Sequence, residues 1–177
     1  RIEAPLSAAQ KQAMDGLPYT QILQIHFKSD KAFPETGGPP ASMWTDGPLE
    51  RIFARTDAAG KPDGMFRSWI NGAGAAKMNR LDDEKIMELC KEEMARLRPA
   101  SRGHIKPLEI IRWTDSNPFA GGAYMHWAPG QAAKWAKVMG APAGRLSFAG
   151  EHLSNVYTGM EGAMESGERA ALNLLGI

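Results

Sequence analysis

The stretch from Gly144 to Leu175, GRLSFAGEHLSNVYTGMEGAMESGERAALNLL, constrains the fold of this chain more than any other. Alternation of Leu146, Ser147 and Phe148 predicts a short strand. The pattern breaks at Gly150, passes Glu151-His152 and a polar loop, and resumes at helical spacing through Met160, Ala163, Met164, Gly167, Ala171 and Leu174. Thr158 and Glu161 have the spacing of a capping box. Strand, glycine turn and capped helix together suit an anionic or electron-rich group. Unpaired backbone N–H groups and the positive end of the helix dipole meet at a helix N-terminus. The same helix carries Gly159, Gly162, Ala163, Ser166, Gly167 and Ala170. Interior glycine costs roughly 0.5–1 kcal/mol relative to alanine. So many small residues need a reason, and two stay open: a flat ligand, or tight packing against a sheet.

Three runs of this region, Phe148-Ala149-Gly150-Glu151-His152, Met160-Glu161-Gly162-Ala163 and Glu165-Ser166-Gly167-Glu168-Arg169-Ala170-Ala171, resemble the C-terminal FAD-binding segment of the flavin-dependent amine oxidases. That family includes monoamine, polyamine and L-amino acid oxidases. The Gly-Glu-His variant leans toward the amino acid oxidases. The resemblance implies an α/β (mixed α+β) fold, the C-terminal part of a two-domain FAD-dependent enzyme. A mixed substrate-domain sheet would be followed by the closing strand and helix of the FAD domain.

Composition narrows the class. A formal net charge of +1, with basic residues scattered, argues against nucleic acid or an anionic membrane as partner. The single cysteine, Cys90, excludes an internal disulfide framework and a clustered thiolate metal site, and its place on an apolar stripe predicts a core residue. No apolar run is long enough to predict a membrane helix, and no signal peptide opens the sequence. His26, His104, His126 and His152 lie far apart without metal-ligand spacing. Ten methionines are unusual, and read as gap fillers or as the lining of a flat apolar pocket.

From the start, residues 5–16 predict a short helix capped by Ser7, and residues 19–27 a strand with Gln21, Leu23, Ile25 and Phe27 on one face. A Pro/Gly-rich loop is expected over residues 33–40. Further strands are expected at 43–44, 50–54 and 65–70, the last after a turn at Lys61-Pro62-Asp63-Gly64. Residues 71–76 are glycine-rich but lack the dinucleotide fingerprint, and are expected to lead the chain out of the sheet toward the other domain. Asp82 should cap a helix over 83–97 with Ile86, Leu89, Cys90, Met94 and Leu97 as its apolar stripe. Residues 108–113 read as a strand. The resulting division is a substrate-binding portion over 1–70, a helix and return strand over 71–112, and the C-terminal part of an FAD-binding domain over 113–177.

The segment WTDSNPFAGGAYMHWAPGQ, 113–131, combines turn formers with aromatics, which suits either a surface loop or the wall of a planar ligand. Amine oxidases carry a similar tryptophan, then Gly-Gly-x-Tyr and Pro-Gly. The resemblance makes Tyr124 a wall of the substrate cage and gives Trp113, Gly122 and Ala123 to flavin packing. Gly150 and Glu151 fall to the ribityl or pyrophosphate region, and Gly159, Met160 and Ala163 to the flavin end of the helix. Ala123 stands where covalent family members have cysteine, so noncovalent FAD is implied. Gln24 aligns with a family lysine that holds a water at flavin N5, and it brings no positive charge. The second cage wall falls at Gly159, a departure that leaves that side open unless Tyr157 fills it.

No strand, glycine-rich turn and helix for a pyrophosphate occurs in these residues. The expectation is therefore a split or proteolytically processed oxidase, in keeping with the abrupt opening at Arg1. A second polypeptide would carry the N-terminal dinucleotide-binding half, with a dimer of that heteromer as one assembly, and the isolated chain would neither fold well nor retain FAD. The implied reaction oxidises the C–N bond of an amine or L-amino acid to an imine, which hydrolyses to the carbonyl, while O2 becomes H2O2. Two alternatives follow from the departures: a flavin amine dehydrogenase passing electrons to a protein, and a noncatalytic structural subunit of a flavoprotein complex. The sequence leaves the compartment open, cytoplasmic or exported.

Overall fold

A computed structural model describes residues 4–31, 40–114 and 116–176. These form two compact units: residues 20–123, and the residues up to Tyr19 together with those from Tyr124 onward. The expected segments 1–70, 71–112 and 113–177 do not coincide with these units. The expected loop at 33–40 lies, apart from Pro40, outside the described residues.

Within residues 20–123 a five-stranded sheet is built from β1 (Ile22–Ser29), β2 (Met43–Trp44), β3 (Arg51–Thr56), β4 (Pro62–Asn71) and β5 (Ile105–Trp113), in the spatial order β2-β3-β4-β1-β5. Every adjacent pair is antiparallel, where a mixed sheet had been one of the sequence expectations. The interior strand β1 is flanked on both sides, by β4 and β5, which explains its almost continuous burial. One sheet face carries the core, where Leu23, Ile25 and Phe27 meet Ile52, Phe66 and Ile70. The rings of Phe27 and Phe66 stack 5.4 Å apart at 9°. Helix α3 (Asp83–Leu97) buries Ile86, Cys90 and Met94 in the same core. Its start is set by Asp82, whose carboxylate accepts from the Lys85 N–H, as the sequence predicts.

Two local expectations in this unit shift. The reversal before β4 falls at residues 57–60, because the Asp57 carboxylate accepts from both the Ala59 and Lys61 N–H groups and Gly60 supplies φ +80°. Strand β4 consequently starts at Pro62, inside the expected turn. The glycine-rich run after the strand does not lead into the other unit. It winds into α2 (Gly72–Met78), whose Ala75 and Met78 close the end of the core.

The other unit is mostly helical. Its first helix, α1 (Ala8–Gly16), has the full capping box of Ser7 and Gln10. Gly16 lets Trp135, at the end of α4 (Gln131–Trp135), approach so closely that a Cβ on Gly16 would lie 2.6 Å from the Trp135 ring. The long helix α5 (Gly159–Leu175) is where the spacing placed it. The strand expected over 146–148 is not formed. Only a bridge between Ala143 and Leu146 is present, since a strand needs a neighbour to take its N–H and C=O groups and none of the described residues pairs with this segment as a strand. The capping box expected of Thr158 and Glu161 is also absent: Thr158 is the N-cap but its side chain makes no cap bond.

Candidate functional site

The turn before α5 is held by side chains that reach back from the helix. The Gly150 N–H donates to Ser166 Oγ at 2.9 Å, and the hydroxyl can donate to the Gly150 carbonyl at 2.8 Å or to that of Ala163 at 3.0 Å. Ser166 is 1% exposed, so its hydroxyl is kept from water, where leaving a polar group unmade is costly. Arg169 donates to the Leu153 carbonyl at 2.5 Å and pairs with Glu165. One Glu151 oxygen accepts from the Met125 N–H at 2.9 Å, which fixes the residue after Tyr124 to the turn. Burial, and then the Glu151 charge, hold the Tyr19 phenol above its usual value. Gly150, Glu151 and Tyr124 are thereby brought into one network.

Gly159 opens α5 with φ +75°, and nothing lies within 4 Å of where its Cβ would be. Met160 is 85% exposed and Ala163 is exposed beside it, so the first turn of α5 is open among the described residues. The small residues divide into two kinds. Gly162 is demanded by packing, since a Cβ there would sit 2.1 Å from the Tyr157 carbonyl oxygen. Gly159 and Gly167 have no neighbour within 4 Å of such a Cβ. Among the described residues, no sheet residue is among the close neighbours of the three glycines. Ser154 does part of the work expected of Thr158: its Oγ accepts from the Val156 and Tyr157 N–H groups ahead of the helix.

In the sheet unit, Gln24 occupies the middle of β1, 8% exposed, opposite Trp69 on β4 and Ile111 on β5. Its Oε1 lies 3.4 Å from His26 Nε2. Trp113 ends β5 opposite Ile22 and is partly exposed. Gly122 is buried, and the Ala123 N–H donates to the Thr20 carbonyl at 2.8 Å. Thus Gln24, Trp113, Gly122 and Ala123 belong to the sheet unit. Tyr124, Gly150, Glu151, Gly159, Met160 and Ala163 belong to the terminal unit. Sequence reasoning missed Ser166 as the fastener of the turn, although it stands among the small residues that drew attention to the helix. It also missed Arg67, which shares the sheet face of Gln24 and His26. No grouping of His, Cys, Asp and Glu among the described residues could hold a metal ion. Among the described residues, no helix is long and apolar enough to cross a membrane.

The architecture matches that of solved oxidases named for amines. Against cyclohexylamine oxidase from Brevibacterium oxydans the TM-score is 0.78 at 16% identity, covering 96% of this chain and 38% of that one. Against putrescine oxidase bound to putrescine it is 0.75 at 18% identity, covering 98% and 39%. At the level of sequence, the pattern of the flavin containing amine oxidoreductases matches residues 1–175. The chain belongs to that family. Among curated relatives, the flavin-containing amine oxidase B of Cavia porcellus is 32% identical over 123 residues, 65% of this chain and 23% of that protein. The flavin-containing amine oxidase A of Equus caballus is 29% identical over 176 residues, 96% and 33% respectively.

The chain therefore spans about a quarter to a third of these curated relatives. They carry the matched region and the rest of their length in one polypeptide, as do the solved enzymes. This overturns the expectation of a second polypeptide bearing an N-terminal dinucleotide-binding half, and with it the dimer of such a heteromer. A continuous chain keeps the two parts at high effective concentration and needs no separate docking step.

Proposed function

We propose that this chain is the C-terminal portion of an FAD-dependent oxidase acting on the C–N bond of an amine or L-amino acid. The product imine is hydrolysed to a carbonyl compound, and O2 leaves as H2O2. The observation that carries this reading is the family match across residues 1–175, with Gly121-Gly122-Ala123-Tyr124 and Gly150-Glu151 in the family's order. FAD, when bound, supplies the two-electron acceptor that no side chain can provide.

The residues present fit that cofactor in three respects. The first turn of α5 carries the Gly159 and Met160 N–H groups, which have no acceptor within the helix, beside an exposed Met160 and at the positive end of the helix dipole. There they would hold the negative charge that builds on the reduced ring. Gly150 donates its N–H to Ser166 Oγ and its carbonyl accepts from the Leu153 N–H, so the turn presents its backbone in one fixed shape. Ala123 has no nucleophile, which supports noncovalent attachment. Glu151 would face the ribityl or pyrophosphate part with the oxygen that Met125 does not use. Trp113, Gly122 and Ala163 would pack against the ring system. Tyr124 would orient the substrate carbon, its position set through Met125 and Glu151, and Gln24 would hold a water.

Gln24 is also the reason for a second reading, a dehydrogenase that passes electrons to a protein. A neutral amide at this station offers oxygen no positive charge. Anaerobic mixing of the full-length flavoprotein with an amine and amino acid panel tests the first claim, which requires bleaching of the flavin. Peroxide yield under air against an added acceptor then separates oxidase from dehydrogenase. An unchanged spectrum with every member of the panel would remove both, and leave a structural role.

A further inference from the structure

The face of the sheet opposite the core carries an arginine with unused donors. Arg67 on β4 stands directly across from His26 on β1 and from Phe53 on β3. Its guanidinium lies 5.0 Å from the Trp69 ring centroid and 5.6 Å from that of Phe53. Its Nε is buried and makes no hydrogen bond. Ring faces stabilise the charge without consuming the in-plane N–H groups, so the fork is kept in position and unfilled. A buried donor without an acceptor is costly, and the described residues offer none.

The surroundings specify what would fill it. A concavity of about 320 Å³, at the lower end of small-molecule sites, is lined by His26, Phe53, Arg55, Met65 and Arg67 among others. Its second guanidinium, Arg55, is already neutralised by Asp63 at 2.6 Å. No carboxylate lines it. Glu109 shares the face but sits on β5 beyond His26, two strand spacings or roughly 10 Å from Arg67. The site thus has a free cation, aromatic walls and no anion.

We infer that Arg67 binds the carboxylate of an amine substrate that carries one, and selects such substrates over neutral amines and over diamines. The inference rests on the oxidase reading for the word substrate, and on the geometry of Arg67 alone for the anion. A planar carboxylate accepts two parallel N–H bonds from a guanidinium, which an ammonium or a hydroxyl cannot.

The test uses the full-length, FAD-loaded enzyme and matched pairs: phenethylamine with phenylalanine, and hexylamine with 6-aminohexanoate. The carboxylated member of one pair should be preferred, because the carboxylate lies one bond from the reacting carbon in phenylalanine and five in 6-aminohexanoate and a fixed guanidinium suits one separation. Arg67→Gln should lower kcat/KM for that member by about 10–100-fold and leave the neutral members within about twofold, with Arg67→Lys between. Absence of preference, or an equal loss on both members, would overturn the inference. Benzoate binding, followed by tryptophan fluorescence, gives a readout free of turnover. It should weaken at least about tenfold in Arg67→Gln. Equal benzoate affinity in the two proteins, or a drop in melting temperature with no benzoate effect, would assign Arg67 to a protein carboxylate elsewhere in the longer chain. If no amine bleaches the flavin while benzoate still requires Arg67, the oxidase reading fails and the anion site stands.

Discussion

Ser166 fastens Gly150 across sixteen residues of chain, accepting from its N–H at 2.9 Å and able to return a proton to its carbonyl at 2.8 Å. A helix side chain thus replaces the strand neighbour that the backbone of this turn lacks. Ser166→Ala would leave the half-buried Gly150 N–H without its acceptor, at about 0.5–1.5 kcal/mol. Expected outcomes are a lower melting temperature for the full-length flavoprotein and faster loss of flavin on dilution. Ser166→Thr offers the same hydroxyl with one methyl more. Thermal unfolding followed by flavin fluorescence measures both, and an alanine variant with wild-type values would show that the clamp contributes nothing.

Gly162 makes the sharpest steric demand of α5. A Cβ at 2.1 Å from the Tyr157 carbonyl cannot be relieved by a rotamer change, because the obstacle is backbone. Gly162→Ala must displace the Ser154–Tyr157 loop or the first turn of the helix, typically about 1–3 kcal/mol for an overpacked site. Gly167→Ala, where the added methyl meets nothing within 4 Å, should be neutral or stabilising through helix propensity. Comparing the two variants by denaturant unfolding checks the assignment. If the pair ranks the other way, the crowding at Gly162 is not real.

Elements whose signals are local were legible in the sequence. The Ser7 and Asp82 caps, the stripe of Ile86, Cys90 and Met94, and the alternation along β1 each follow from neighbours in the chain. What failed depended on partners that a local pattern does not encode. Leu146–Phe148 alternates like a strand, but alternation describes a half-buried ribbon and says nothing of whether a second ribbon lies beside it. Thr158 and Glu161 have capping-box spacing, yet Ser154 serves the N–H groups ahead of the helix and Gly159 takes positive φ. The Lys61–Gly64 turn lost to Asp57, because a carboxylate collecting two N–H groups closes the loop earlier.

The candidate site was read mainly through motif resemblance, which names residues that touch a cofactor and passes over those that hold them. Ser166 therefore reads as one more small residue, and Arg67 does not stand out. Nothing along β4 marks Arg67: its significance comes from Phe53 and Trp69 on the same face, and the register that supplies them is nonlocal. The inference of a second polypeptide failed for a different reason. A missing motif in a sequence speaks only for the residues present.

Cys90 offers a test of the core that is independent of function. Burial on α3 pushes its thiol up to about 12 from 9.0. The folded protein keeps the proton where the unfolded chain loses it, so stability falls as pH rises from about 9 toward 12. Below pH 9 the group is neutral in both states and contributes no pH dependence. Iodoacetamide at pH 8 should leave the native protein unmodified and label it once denaturant is added, since only an accessible thiolate reacts. Mass analysis before and after unfolding checks this. Rapid labelling of the native protein would mean that α3 does not cover the sheet as described.

Tyr124 carries the most direct consequence of the oxidase reading. The residue is 38% exposed, and Met125 next to it is tied to Glu151 through its backbone, so Tyr124 is held in place outside the core. Loss of a large apolar wall against a substrate costs about 1.5–3 kcal/mol, or roughly 10–100-fold in kcat/KM. Tyr124→Ala should show that loss, while Tyr124→Phe, which keeps the ring, should stay within a few-fold. Melting temperature should move little in either variant, because a half-exposed ring contributes little to folding. Steady-state kinetics on full-length enzyme across an amine series distinguishes the wall from a proton-transfer role. A wall makes the defect grow with the apolar size of the substrate and leaves the pH profile in place. A role for the hydroxyl in moving protons would instead make Tyr124→Phe as damaged as Tyr124→Ala and shift the profile.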